Sequence, residues 1–471
     1  MGRAASLIHL AWKNRATSVY TRPQSASVTL AKRGAWLLGL ALLTCLALPS
    51  GARAQTPQGM RATLHPTPYS LHPARGDGGL GQHAALVRRD PYTPHVPPRA
   101  IAYQRAGRAL GVFAIFWNLL GLWAILQSGL SARLRDVFLR RLRLSPPPPN
   151  GPPPFRLVAA YFVAFSLLAQ FWFLPLGLAR FYLEHHFGFG RQSLGGYFAD
   201  WAQTWGLELL LIPLIWGGYW LYARTPRRWW LWLWAIMIPL IFFVFVLQPV
   251  VIAPLYNRYT PLPQGPLRAE ILNLAARAGV EHAQVLVEDT SRRTNHVNAY
   301  VYGLGPTARI VINDTSLRLL PQDQILAMVG HELGHYVEKH IWVGFLGSAL
   351  GAGIFLWLAS RIIPWAVRRA PRRWRLLGIG DIVALPLVYL VLSVFLLVQY
   401  PLASALSRYL EHRADAFGLR LTHLNDATAR LFVGFAERDY SDPNPPALLH
   451  FWFGTHPTLS ERIAFALHYK D

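Results

Sequence analysis

Cysteine, acidic residues and charge in general are all scarce in this 471-residue chain, and each shortage excludes something. Cys45 stands alone, so no intrachain disulfide and no Cys-x-x-Cys metal site can form, and any metal must be held by histidine and carboxylate. Only 15% of the residues are charged, against about a quarter in a soluble domain, which excludes an ordinary soluble enzyme. Disorder is excluded as well, because 53% of the residues are apolar. Asp and Glu number 23 against 46 Lys and Arg, a formal charge of +23. Such an excess could mark a nucleic-acid binder. However, 14 basic and only 2 acidic residues precede Ala109, and most of the others flank long apolar runs, so they read as membrane-topology signals and no nucleic-acid partner is expected.

The basic start, an apolar run over residues 35–49 and the small residues that follow it resemble a signal peptide; otherwise residues 1–54 hold a first transmembrane helix. No Met lies between Met1 and Met60, and translation is expected to start downstream, at a codon read here as Val28 or Leu30. Residues 55–108 mix Pro, Gly, His and Arg without periodicity and are expected to form a mobile extracytoplasmic segment. Apolar runs follow at 109–126, 157–181, 205–222, 229–255, 343–363 and 382–406. Runs of this length predict a mainly α, polytopic helical membrane protein, with six transmembrane helices, or seven if the signal-like segment is retained. Four helices fall in 109–255 and two in 343–406. The basic connections, around Arg133 to Arg156, Arg224 to Arg228 and Arg368 to Arg375, share one side of an alternating bundle, which the positive-inside rule makes cytoplasmic. Residues 256–342 and 407–471 then face outward. Glu208, Gln248 and Gln399 are expected to face a polar interior rather than lipid.

Residues 256–342 have globular character. A short amphipathic helix is expected over 266–279 and strands over 284–288, 296–302 and 308–313, the last two joined as a hairpin through Gly303 and Gly305. A further helix starts near Pro321, Gln322 and Asp323 and carries His331-Glu332-Leu333-Gly334-His335. Two His at i and i+4 share a helical face and can ligate one Zn²⁺, while the Glu between them can deprotonate a water. By chance this pattern would occur in roughly one such chain in a hundred. A catalytic zinc normally takes three protein ligands. Glu338 lies close to the helix axis for that task, and a distant carboxylate is expected instead. The run 407–415 extends the last apolar helix out of the membrane with Arg408, Glu411 and Asp415 on one face.

With these residues in view, the chain resembles the integral membrane zinc metallopeptidases of the Ste24 type, the CAAX prenyl protease 1 group of the M48 peptidases. The resemblance runs from about Leu157 to Tyr469, through segments 184–194, 252–263, 296–300 (His-Val-Asn-Ala-Tyr), His331 to His335, 407–418, Thr455-His456-Pro457-Thr458 and 461–463. It implies a small α+β zincin-like peptidase domain built from 256–342 and 407–471, and one Zn²⁺ per chain on His331, His335 and Glu411, with Glu332 as general base. It also implies that Asn298, Ala299 and Tyr300 form an edge strand alongside the substrate backbone, that His456 stabilises the oxyanion, and that Arg408 and Asp415 support the site from behind. Eukaryotic members act on prenylated C-terminal motifs with the site facing the cytosol. Here the signal-like start and Arg- and Ala-rich composition suggest a bacterial inner-membrane protein with its site on the extracytoplasmic face.

The expected function is zinc-dependent hydrolysis of peptide or protein substrates, some membrane-associated, in processing or quality control within the lipid bilayer. The competing reading is a non-catalytic transporter or scaffold with a structural metal site. Glu332 separates the two, since a structural site needs ligands but no base.

Overall fold

The computed structural model of the chain describes residues 90–147, 151–303 and 305–470, with the side chains of Val246 to Pro249 and Pro306 excepted. The signal-like segment, the alternative start positions and most of 55–108 lie outside the described residues, as does the side chain of Gln248.

Apolar composition and length produce the helices that build most of the described chain. In order these are α1 (Pro98–Gln127), α2 (Leu130–Arg141), α3 (Phe155–His186), α4 (Leu194–Glu208), α5 (Ile212–Arg224), α6 (Trp229–Leu247) and the one-turn α7 (Ala253–Tyr256). A 3₁₀ turn at Leu209–Leu211 joins α4 to α5. Among the described residues, five helices are long and apolar enough to cross a membrane, counting Leu194–Arg224 as one, and the pair Trp229–Phe245 and Val250–Tyr256, bent by 57°, makes a sixth where it is counted as a single span. All six expected runs are thereby helical.

One boundary differs from expectation. Helix α1 begins at Pro98, inside the stretch expected to lack structure. Its first turns pair polar groups with the protein instead of burying an apolar face, so hydropathy does not mark them. The Tyr103 hydroxyl donates to Glu184 Oε1 at 2.8 Å, Arg99 Nη2 donates to the His186 carbonyl at 2.9 Å, and Arg108 pairs with Asp442. The preceding strap is tied down too, through Tyr92 to Asp426 Oδ1 (2.7 Å) and the His95 amide to Glu437 Oε1 (2.8 Å).

A four-stranded sheet follows α7, made of β1 (Tyr259–Pro261), β2 (Gln284–Glu288), β3 (Ala299–Tyr302) and β4 (Arg309–Asn313), in the order β1-β2-β4-β3. Strand β2 runs parallel to β4, and the other pairs are antiparallel. Strand β2 matches expectation, and the hairpin β3–β4 forms with β3 starting at Ala299 rather than at His296, because Asn298 gives its amide to Ser316 Oγ instead of to a neighbouring strand. Strand β1 departs from expectation, since three residues ending in Pro261, with Pro263 close behind, carry no alternation to read. Helix α8 (Pro266–Arg277) and, after the short α9 (Asp314–Leu319), helix α10 (Gln322–Val337) cover the sheet. Their shared core includes Ile271, Val285, Ala299, Ile310, Ile312, Val329 and Leu333. The chain then re-enters the bundle as α11 (His340–Arg368), and returns as α12 (Leu385–Thr422), whose last turns leave the apolar region and lie against α10. Helices α13 (Asn425–Glu437), α14 (Ala447–Phe453) and α15 (Leu459–His468) close the chain over this face, α15 starting from a capping box formed by Thr458 and Glu461.

The basic connections gather at one end of the bundle. Arg135 pairs with Asp381, Arg375 Nη2 donates to Asp136 at 2.6 Å, and Trp216 Nε1 donates to the Pro153 carbonyl at 3.1 Å. Helix α3 starts at that end and carries Glu184 in its last turn, where Oε2 lies 3.5 Å from His296 in the sheet domain. The sheet is therefore at the opposite end. Within the bundle Glu208 is buried and accepts from Gln170 Nε2 at 3.0 Å, an interior position as its charge requires.

Candidate metal centre

Helical spacing places His331 and His335 on one face of α10, one turn apart. Their Nε2 atoms are 3.1 Å from each other. Helix α12 brings in Glu411, with Oε2 at 3.3 Å from His331 Nε2 and Oε1 at 3.5 Å from His335 Nε2. One donor atom from each of the three lies within 4.8 Å of the others. Glu411 Oε2 is buried and accepts no hydrogen bond, so a lone pair is left facing the two imidazoles. Two nitrogens and a carboxylate oxygen converging in this way fit the donor set of a catalytic zinc.

The outer nitrogen of His331 is occupied. Nδ1 bonds Asp415 Oδ1 at 2.8 Å, and Asp415 in turn accepts from Arg462 Nε at 2.8 Å and Nη2 at 2.6 Å. Both members of this ion pair are buried, and Arg462 also lies over the Phe432 ring at 4.1 Å. Burial alone would lower the His331 pKa, but Asp415 and Glu411 outweigh it and hold it above the ordinary value. Arg462 was not singled out from sequence, although 461–463 belonged to the resemblance. The signal available was the need of Asp415 for a counter-charge.

Glu332 is buried beside His331. His456 reaches the centre from the loop between α14 and α15, with Nε2 3.1 Å from Glu411 Oε1 and Nδ1 2.9 Å from Thr455 Oγ1. Arg408 does not approach the carboxylates. Its Nη1 donates to the carbonyls of Gly454 (2.6 Å) and His450 (3.2 Å), while His450 Nε2 donates to the His456 carbonyl at 2.9 Å, so Arg408 holds the loop that carries His456. Glu338, set aside as a ligand from sequence, is engaged by Arg413, Nε to Oε2 at 2.8 Å.

Strand β3 is at the sheet edge. The Asn298 carbonyl accepts from the Asn313 amide at 3.1 Å and its amide donates to Ser316 Oγ at 2.8 Å. By antiparallel alternation the backbone of Tyr300 also turns inward, and the open edge presents the backbone of Ala299 and Val301. Asn298 lines a small cavity with Met328, His331 and Asp415, whereas the Tyr300 hydroxyl lies 3.1 Å from that of Tyr259 and 3.3 Å from Glu288. Of the three expected strand residues, Asn298 lies just before β3 and borders the cavity beside the centre, while Ala299 offers the open backbone edge.

Residues 261–470 match the family model of peptidase family M48, and residues 89–258 match that of the CAAX prenyl protease N-terminal region of five membrane helices. The chain is 34% identical over 316 residues to the uncharacterized metalloprotease YhfN of Bacillus subtilis, covering 66% of this chain and 74% of that protein. It is 31% identical over 297 residues to the CAAX prenyl protease 1 homolog of Arabidopsis thaliana (62% and 68%), and 28% identical over 319 residues to CAAX prenyl protease 1 of Saccharomyces cerevisiae (62% and 67%). The crystal structure of S. mikatae Ste24p shares the fold, with a TM-score of 0.69 at 22% identity over 80% of this chain and 92% of that one.

Proposed function

This chain belongs to peptidase family M48, as a multi-pass membrane metallopeptidase, and from that premise we propose that it is a zinc endopeptidase in which His331, His335 and Glu411 hold one zinc ion and Glu332 is the general base. The observation that carries the reading is the convergence of two imidazole Nε2 atoms and Glu411 Oε2 next to the buried Glu332. Zinc, when bound there, supplies the Lewis acidity that polarises a scissile carbonyl and acidifies water. The protein does the rest. Glu332 takes the proton from the attacking water on a carboxylate oxygen and passes it to the leaving amine. His456, held by Thr455 and by the Arg408-braced loop, donates from Nε2 to the oxyanion. An extended substrate adds to the open edge of β3, bonding the backbone of Ala299 and Val301, with Asn298 flanking it.

The substrates are membrane-associated or misfolded polypeptides, and the setting is a bacterial inner membrane with the site on the extracytoplasmic side. The support for that orientation is the gathering of arginines at the far end of the bundle from the sheet. Prenylated peptides remain a substrate to be compared directly. The test is cleavage of an unstructured reporter protein and of a farnesylated peptide by the detergent-purified chain, beside Glu332→Gln and a zinc chelator. Loss of cleavage by about 10²–10⁴-fold in the variant, with zinc retained, is the expected result. One zinc per chain with neither substrate cut, and Glu332→Gln indistinguishable from the parent, would instead favour a non-catalytic scaffold.

A further inference from the structure

The two imidazoles of the centre are held from behind in different ways, His331 by the carboxylate of Asp415. His335 Nδ1 bonds no carboxylate. It lies 2.9 Å from Nδ1 of His340, the first residue of α11, and the two rings meet edge to face at 5.0 Å and 75°. On an unbroken helix a residue at i+5 stands about 140° around the axis from residue i, so these rings could not meet. The break between α10 and α11 brings them together, because Lys339 adopts a left-handed conformation (φ 57°) and turns His340 back under His335. A left-handed lysine is strained, and neighbouring contacts must offset that strain.

The far side of His340 determines where the protons lie. His340 Nε2 is 3.2 Å from Glu338 Oε2, and Glu338 is clasped by Arg413, Nε to Oε2 at 2.8 Å and Nη2 to Oε1 at 2.9 Å. Although burial opposes its charge, Arg413 keeps the Glu338 carboxyl below its ordinary pKa, so this group only accepts. His340 Nε2 must then be the donor and, in the neutral ring, Nδ1 the acceptor. His335 accordingly donates from Nδ1 and presents a bare Nε2 toward Glu411 and His331. The chain His335–His340–Glu338–Arg413 parallels His331–Asp415–Arg462, with a neutral ring inserted before the carboxylate.

We propose that His340 is the positioning residue for His335: it fixes the tautomer and plane of that ligand through the Nδ1–Nδ1 hydrogen bond, and is itself fixed by Glu338 and Arg413. The inference rests on the zinc reading of the centre and names a residue outside the HExxH motif. Partners behind a ligating histidine commonly govern metal affinity by 10–100-fold.

The experiment uses the full chain in detergent, loaded with one zinc, and measures the rate of zinc release into a chelator. His340→Phe keeps a ring of similar size but can neither accept nor donate. Its zinc release is expected to be about 10–100-fold faster than the parent's, while the thermal midpoint of the metal-free protein stays close to the parent's. His340→Gln, whose carbonyl can accept from His335 and whose amide can donate to Glu338, is expected to recover most of the slow release. With cobalt in place of zinc, the ligand-field spectrum of His340→Phe should differ from that of the parent and His340→Gln should return toward it. Release from His340→Phe within twofold of the parent overturns the inference, as does a lowered metal-free midpoint with unchanged release, which would make His340 merely structural. Should His340→Phe not fold, Glu338→Ala tests the next link, and a release rate equal to the parent's overturns the proposal. A parent that holds no zinc at all overturns the underlying reading, an outcome separate from a parent that binds zinc while the variants match it.

Discussion

The α-carbon of Gly418 rests on the backbone of His331: a β-carbon at position 418 would stand 2.8 Å from the His331 amide nitrogen and 3.0 Å from its α-carbon. The contact is reciprocal along the helix pair, since a β-carbon on Gly334 would stand 3.0 Å from the Ala414 carbonyl oxygen. Helices α10 and α12 thus approach backbone to backbone. This closeness lets the short carboxylate arm of Glu411 reach two imidazoles that belong to another helix.

Gly418→Ala should therefore damage the centre without touching a ligand. Overpacking against backbone costs about 1–3 kcal/mol, and the helices must part, drawing Glu411 from the histidines. A glycine in a helix interior is otherwise destabilising by roughly 0.5–1 kcal/mol relative to alanine, so an unhindered site makes the control. Gly351, with nothing near its missing β-carbon, serves. Gly351→Ala is expected to leave zinc content unchanged and Gly418→Ala to reduce both zinc content and the unfolding midpoint; a Gly418→Ala variant that behaves like the control would show that the close approach is not needed.

Arg462→Met removes the partner of a carboxylate that remains buried. Breaking a buried pair from one side costs about 3–5 kcal/mol, because the remaining charge is uncompensated. Asp415→Asn added to Arg462→Met should restore much of the stability, since no charge is then stranded, yet should not restore zinc affinity, because His331 has lost its charged acceptor. Calorimetry in detergent with parallel zinc titrations checks both halves, and a double variant no more stable than Arg462→Met would count against the assignment.

Stability should also fall on the alkaline side of neutrality through His296. Burial by itself would lower its pKa, but Asp439, with Oδ1 at 2.8 Å from Nδ1, and Glu184, with Oε2 at 3.5 Å from Nε2, raise it to about 9. The ring also stacks on Phe189 at 4.3 Å, and Arg180 pairs with Glu184 behind it. A folded pKa above the unfolded value of about 6.5 means that the protonated form favours the native state. The contribution is complete below about pH 6.5 and is lost as pH rises through about 9. Unfolding midpoints of the parent between pH 6 and 10 should decline across that window and those of His296→Gln should decline less. Parallel curves would remove His296 as the cause.

The arginine-rich end should be cytoplasmic. A reporter fused after Asp471 is expected to show periplasmic-type activity in bacteria, and one inserted between Arg369 and Arg372 cytoplasmic-type activity. The reverse pattern would move the centre to the cytosolic face and change the substrates it can meet.

By itself the sequence determined whatever repeats locally. Apolar runs near 20 residues long must be helices in lipid, so all six were legible, and the i, i+4 spacing of His331 and His335 needs nothing beyond one helix to place both nitrogens on one side. Strands β2, β3 and β4 were legible from β-branched residues between turn signals, whereas β1 was too short to show a period, and the start of α1 was hidden because it binds through polar pairs. Glu411 could be proposed only through the resemblance, since nothing local ties a residue on α12 to a motif on α10. Tertiary structure decided the rest. Asp415 and His331 lie 84 residues apart in sequence, and Arg462 is another 47 beyond Asp415. Arg408 turned from the carboxylates to the carbonyls of the His456 loop, and His340 met His335 only because one left-handed lysine breaks the helix between them. A local pattern records the conformation a segment must adopt to bury its own apolar face. Which polar groups then meet depends on how closely two glycine-lined helices pack and where each one ends.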